Sequence, residues 1–467
     1  MTENHAIGSL SAVQLRDAIA AGTYTARQVT EHFLAVIGQQ VDLGAFMAVD
    51  ADAALARADE LDAAYASTGV VGPLHGLPIA FKDTTNISGM VTTFGSQLLA
   101  DSPVQTEDDP VAQNAKTAGA VLVGKTTIPE FALSCHSDNS ISDPARNPRN
   151  PELTAGGSSG GAATAVAAGM LPVAPGTDGG GSIRIPAAAT GIIGLKPGRG
   201  TIPTDEQSDD VTNLSVTGPL ARTVEDAAML MDTLVDPTQQ RGRYVAAAQD
   251  GKSSAGPLTI GYTTAAPFQP DLDITLAQSA VQALTLAITL LSRDGLSVEE
   301  MSFSYPPEYH KNFQTVWTTA LSKVPLPEGA ENQLEALTRD FLLQARSRTA
   351  EQYQHAIEDL SQWAEDTRRI FGAYDVVVTP VLAFTPPKVG TFATMEPQDD
   401  YEYQCKFTPY TSMINVLGLP AISVPVKTDD DGMSWSIQAV GRIGTEASLL
   451  RLGARLEALV AGQKRTA

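Results

Sequence analysis

Two cysteines in 467 residues, Cys135 and Cys405, are too few for a disulfide framework and lack the spacing of a metal-binding pair. They read as buried thiols. No cluster of metal-ligating side chains is visible elsewhere, so neither a metal nor a cofactor is expected. Positive charge is also short: Lys plus Arg number 31 against 53 for Asp plus Glu, giving a formal charge of −22. Such a field repels polyanions, which argues against nucleic acid as a partner and reads as a solubility device. Long hydrophobic runs are missing too. The longest small-apolar stretch, Ala162 to Pro175, is broken by Pro172, and the opening MTENHAIGSL has no basic segment leading into an apolar one. No membrane partner is expected, and the chain reads as soluble and cytoplasmic. What is present is a globular composition, 43% hydrophobic and 18% charged. The length suits a large α/β enzyme built as one unit.

Helical patterning runs from Ser11 to about Ala66, with LRDAIAAG closing on a glycine and DADAALARADELDAAYA forming an amphipathic run. VVGPLHGLPIAFKD then switches to period-two strand chemistry, and GAVLVGKT reads as a buried strand. Helices and apolar strands alternate through Met170 to Leu195, which implies a parallel or mixed sheet covered on both faces. Mostly helical periodicity fills Leu272 to Phe371, read as a helical insertion or lid. YDVVVTPVLAFTPP and GLPAISVPV are late buried strands before a closing helix, ASLLRLGARLEALVAG.

Three motifs compete for the chemistry. Gly119, Gly124, Lys125 and Thr126 fit the phosphate-loop pattern G-x-x-x-x-G-K-[ST]. A phosphate cradle needs a turning loop and then a helix, whereas AVLV is a strand and Pro129 follows closely, so the match is a decoy. Gly156, Ser158 and Gly160 fit the G-x-S-x-G nucleophile elbow. No strand runs into it, and the only downstream histidines, His310 and His355, lie in helical segments. The third pattern joins GLPIAFKD, AGGSSGGAATAVAAG and GTDGGGSIRIPAAATGIIGLKPGRG, with Ser158 and Ser182 24 positions apart.

Together these three segments resemble the amidase signature family, as do VLVGKTTIPEFA, RNPRNP, GPLARTVEDAAML and GLPAISVP. The resemblance covers nearly the whole chain. It implies an α/β fold with a mixed, mostly parallel twisted central sheet, helices on both faces and a helical insertion. A single domain is implied over 1–467: an N-terminal helical part at 1–66, a catalytic core at 67–240, the insertion at 272–371 and a return to the sheet at 374–467. It also implies a Ser–Ser–Lys triad, with Ser182 as nucleophile, Ser158 as bridging serine behind a cis Gly157–Ser158 bond, and Lys82 as base. Independent chemistry agrees, since a serine needs a base, and an amine serves near neutral pH only if burial or a neighbouring cation lowers its pKa. Lys82 ends the apolar strand LPIAF, which supplies that burial.

By the same resemblance the N–H groups of Gly179, Gly180, Gly181 and Ser182 form an oxyanion hole, braced by Asp178 and Arg184. The substrate pocket is expected from Phe131 to Ser140, including Leu133 and Ser134, from the loop Thr204 to Asn213, and from the insertion around Trp317. Many relatives carry Thr or Ile where this chain has Gly179, which predicts a roomier leaving-group side. The implied substrate is a small amide, an anilide, an ester or a carbamate, and the implied assembly a monomer or homodimer. The alternative is the glutaminase subunit of a glutamine-dependent aminoacyl-tRNA amidotransferase; that branch usually has Gln where Ile185 stands here. A silent binding protein on this scaffold fits poorly with three intact triad positions.

Overall fold

The N-terminal helices form because their first turns are capped from both directions. Ser11 caps α1 (Ala12–Ala20) and Thr25 caps α2 (Ala26–Gln39); each hydroxyl accepts from the N–H of the third helical residue, a glutamine whose side chain returns to the cap's own N–H. Val29, Phe33 and Ile37 then fall on one buried face of α2. The computed structural model describes residues 7–202, 210–235, 242–324, 326 and 329–464.

A strand interrupts the region expected to be wholly helical: β1 (Phe46–Val49) precedes α3 (Ala51–Thr68). Four residues are too few to display a period, and pairing with a distant strand decides their conformation. That partner is β3 (Val121–Thr126), which follows β2 (Pro78–Lys82) and α4 (Pro110–Thr117); the order in this small sheet is β1-β3-β2. β2 and β3 run parallel, and β2 is buried at every position. Only the end of VVGPLHGLPIAFKD is therefore strand.

After a two-stranded ribbon, β4 (Arg146–Asn147) with β5 (Asn150–Thr154), come α5 (Gly160–Ala167), β6 (Val173–Asp178), α6 (Arg184–Thr190), β7 (Ile193–Lys196), β8 (Val216–Ala221), α7 (Val224–Leu234), α8 (Arg243–Gly251) and β9 (Thr259–Tyr262). The chain continues with α9 (Gln278–Arg293), β10 (Ser297–Glu300), α10 (Tyr309–Thr319), α11 (Ala336–Ser347), α12 (Ala350–Phe371) and β11 (Val376–Pro380). It ends with α13 (Pro397–Phe407), α14 (Ser412–Val416), β12 (Ala421–Thr428), β13 (Ser434–Gly441) and α15 (Glu446–Lys464).

The large sheet has the order β10-β9-β11-β13-β12-β7-β8-β6. It is mixed, as expected, but its parallel pairs are confined to β10–β9 and β9–β11. The other pairs in this sheet are antiparallel, which corrects the expectation of a mostly parallel one. Connectivity supplies the reason. The α6 crossover leaves β6 and β7 one strand apart, and β8 returns between them in the opposite sense. The short connection 429–433 makes β12 and β13 a hairpin.

Helices cover both faces, and alternation along the central strands feeds both cores. Val376 and Val378 belong to a core shared with α7, α9 and α15, whereas Val377 belongs to one shared with α10, α11 and α12. The stretch 272–371 thus divides. Its first part contributes α9 and the sheet strand β10, and the helical part proper is α10 to α12. β13, whose SWSIQAV alternates polar and apolar residues, is buried throughout, at its polar positions as well.

The phosphate-loop match runs into β3 and ends on it, where Lys125 Nζ sits 2.9 Å from Asp83 Oδ1 with both side chains sealed from water. Lys125 also donates to Thr92 Oγ1 at 3.0 Å. This amine therefore pins β3 to the end of β2. Removing one partner of a buried pair leaves an uncompensated charge, so Lys125→Met is expected to cost about 3–5 kcal/mol in urea unfolding. Asp83→Asn in the same chain should recover part of it. A loss from Lys125→Met no larger than that of a surface substitution would contradict the assignment.

Candidate active site

Three chain segments bring the site together. β2 ends on Lys82, inside the protein. The second segment turns at Gly156 (φ 78°), and the Gly157–Ser158 peptide bond is cis. A Cβ on Gly157 would lie 2.0 Å from His136 O, so glycine is obligatory there. The third segment leaves β6 at Asp178, crosses Gly179 to Gly181 and enters α6 at Arg184. Ser159 ties the second segment to the third, its N–H donating to Ser182 O at 3.1 Å and its hydroxyl to Thr177 O at 3.1 Å.

Lys82, Ser158 and Ser182 form a continuous chain. Lys82 Nζ is 2.7 Å from Ser158 Oγ, and Ser158 Oγ is 2.8 Å from Ser182 Oγ. Lys82 and Ser158 are each 1% exposed and Ser182 7%, so Ser182 is the member that meets the cavity. Burial pushes the Lys82 amine down to about 7, with Asp178 pulling the other way. Near neutral pH much of it is then free to accept a proton, and hydroxyl protons rotate to suit either direction of transfer. The amine has a second partner that sequence reasoning missed: it donates to Thr177 Oγ1 at 2.8 Å. The one available signal was its place beside Asp178 in GTDGGGS.

Asp178 and Arg184 meet in a two-pronged pair, with Nε at 3.0 Å from Oδ2 and Nη2 at 2.8 Å from Oδ1. Burial opposes the carboxylate's charge, yet the guanidinium, followed by Lys196 and Asn415, holds it below the usual carboxylate range. Gly181 N–H donates to Asp178 Oδ1 at 2.8 Å. That hydrogen bond corrects the expectation that Gly181 is a free oxyanion donor: the carboxylate folds back over the loop and occupies it. The N–H groups of Gly179, Gly180 and Ser182 donate to no acceptor among the described residues. Thr411 holds the loop from the far side, Oγ1 donating to Gly180 O at 2.7 Å. A second buried amine, Lys196, is also pushed to about 7, by burial and then by Arg184; it donates to Pro197 O and hydrogen-bonds neither serine.

Leu133, Ser134 and Trp317 line the cavity in front of Ser182, alongside Phe313 and Tyr401. It encloses ≈ 60 Å³ and no charged side chain lines it. Of the expected loop Thr204 to Asn213, residues 204–209 lie outside the described ones. The space beside Gly179 is not open: a Cβ there would lie 3.1 Å from Trp317 Cζ3. The roomier side read from the missing side chain is thus corrected, because an indole from another element fills it. His310 and His355 hydrogen-bond neither serine, their nearest acids being Asp271 and Asp359. Among the described residues no acidic, His or Cys group could hold a metal, and no helix is long and apolar enough to cross a membrane.

Known proteins resemble this chain over nearly its whole length. The amidase family profile matches residues 28–450. The chain is 35% identical to "Putative amidase AmiB2" of Mycobacterium tuberculosis over 451 residues, covering 94% of each protein. It is 32% identical to a glutamyl-tRNA(Gln) amidotransferase subunit of Symbiobacterium thermophilum, over 95% of each. Among solved structures, 6-aminohexanoate cyclic dimer hydrolase bound to substrate superposes with a TM-score of 0.83 at 26% identity, over 97% of each chain. The chain belongs to the amidase family, the amidase signature hydrolases, and is an enzyme acting on the carbon–nitrogen bonds of small-molecule amides.

Proposed function

We propose that this amidase hydrolyses uncharged amides through an acyl-enzyme on Ser182. The observation that carries the reading is the unbroken path from Lys82 Nζ through Ser158 Oγ to Ser182 Oγ, at 2.7 and 2.8 Å, ending on an amine lowered to about 7. Ser182 Oγ attacks the carbonyl carbon, its proton passes to Ser158, and the Ser158 proton passes to neutral Lys82. The N–H groups of Gly179, Gly180 and Ser182 receive the developing oxyanion, one such donor being worth about 3 kcal/mol of barrier. As the C–N bond breaks, the relay runs backwards and protonates the departing nitrogen. Water then attacks the acyl ester by the same path and releases the carboxylic acid.

The absence of charge in the cavity wall supports a neutral substrate. Glutamine, the amide donor of the amidotransferase reading, carries an ammonium and a carboxylate that need paired charges once buried. Ile185, apolar and in the cavity wall, offers neither. Anilides, and more slowly aryl carbamates, present the same carbonyl to Ser182; the second heteroatom of a carbamate donates into that carbonyl and raises the barrier.

The purified chain alone is expected to turn over simple amides and a small anilide without partner proteins. Turnover of glutamine only in the presence of partner proteins would favour the amidotransferase reading. A fluorophosphonate should label Ser182 in the intact protein, and Ser182→Ala should remove the label with the urea midpoint unchanged. A label on Ser158 or Ser159 would contradict the assignment. Because only the neutral amine accepts a proton, kcat/KM should rise with pH through one ionisation near the Lys82 value of about 7 and level on the alkaline side. Lys82→Ala should lower it by about 10²–10⁴-fold. A rate that falls as pH rises through that range would exclude a neutral lysine base.

A further inference from the structure

The three consecutive glycines of the loop are glycine for different reasons. Gly181 has φ 131°, and a Cβ on it would lie 2.3 Å from Thr411 Oγ1, so neither its backbone nor its surroundings admit a side chain. Gly180 would meet nothing nearer than 3.9 Å. Gly179 is outside the left-handed region, so its backbone accepts any residue; what stands in the way is Trp317, with Cζ3 at 3.1 Å and Cη2 at 3.3 Å from the added Cβ.

Trp317 is held there by its own helix. Tyr309, Phe313 and Trp317 recur every four residues along α10 and therefore share a face. Their rings stack in sequence, Tyr309 on Phe313 at 5.6 Å and Phe313 on Trp317 at 5.9 Å. The inner end is anchored, since the Tyr309 ring packs on Trp363 at 4.7 Å and its hydroxyl is 2.8 Å from Ser412 Oγ. The indole at the outer end is half-buried and forms a wall of the cavity that contains Ser182. At ≈ 60 Å³ that cavity is far below the roughly 300–1,000 Å³ of ligand pockets that enclose drug-sized molecules.

We infer that Trp317 is the specificity-determining residue of this site: paired with the bare backbone of Gly179, it limits the bulk of the substrate group that lies against the glycine loop and selects compact amides and small anilides over branched or extended aryl ones. This rests on the reading of Ser182 as nucleophile. In this pairing residue 317 supplies from a distant helix the volume that a side chain at residue 179 would supply locally, so the two positions are coupled.

The test measures the rate at which Ser182 is labelled by a small alkyl and a bulky aryl fluorophosphonate, with kcat/KM on a matching pair of compact and bulky amides. Trp317→Ala should raise the bulky-to-compact ratio by about tenfold or more in both assays. Gly179→Thr should slow both probes, because the new side chain must displace the indole. In the double variant the threonine takes the vacated space, and the ratio should return to within about threefold of the parent, a non-additive outcome. Trp317→Leu, which keeps an apolar contact on α10, should shift the ratio in the same direction and covers the case in which the alanine variant folds poorly. An unchanged ratio in both Trp317 variants, or additive effects in the double variant, would overturn the inference. Failure of the parent protein to label on Ser182 at all would instead remove the reading on which it rests.

Discussion

Asp178 and Arg184 lie six positions apart with both side chains sealed from water, and the glycine loop is strung between them. Taking the two charges out of water is costly, and the pair persists because almost every polar atom of both groups finds a partner. Asp178 accepts from the backbone N–H groups of Gly181 and Ile183 as well as from the guanidinium. Arg184 extends to Thr411 O, Gln438 Oε1 and Asn415 Oδ1, which joins the loop to α14 and to the central strand β13. Asn415 in turn donates to Asp178 O and Oδ1. The end of β6 and the start of α6 are thereby clamped, and the position of Ser182 between them follows.

The same carboxylate acts on the electrostatics of Lys82. Burial alone drives that amine toward neutrality, and the negative charge of Asp178 partly restores the proton. The balance near 7 suits the proposed role, in which the amine accepts a proton from a serine and then returns it to a leaving nitrogen. Thr177 accepts one of the amine's hydrogen bonds, which keeps Nζ in register with Ser158 as the charge changes. One buried charge thus links the loop's structure to the proposed reactivity.

Much of this site was legible in the sequence because its chemistry is packed into short motifs. Ser158, Ser182, Asp178 and Arg184 sit in two glycine-rich segments, and Lys82 closes an apolar strand; the structure brings all five together. Thr411, Asn415 and Gln438 were not legible, since they come from more than 220 residues downstream of the loop they hold and belong to no spacing pattern. β13 carries a strand's alternation in SWSIQAV, but its polar positions Ser434, Ser436 and Gln438 are buried along with the apolar ones, which alternation alone does not announce. Strand direction depends on which strand returns beside which, and no period encodes that. Gly179 carries the sharpest lesson: a missing side chain read as empty space is filled from α10, and only the packing reveals it.

The central claim is that Lys82 is a neutral base at physiological pH. Its direct measure is an NMR titration of the side-chain amines in lysine labelled with nitrogen-15, with the Lys82 signal identified by its loss in Lys82→Met. Two amines, Lys82 and Lys196, are expected to titrate at about 7, and the substitution should remove one of them. A Lys82 signal that titrates near the ordinary lysine value of 10.5 would contradict the account.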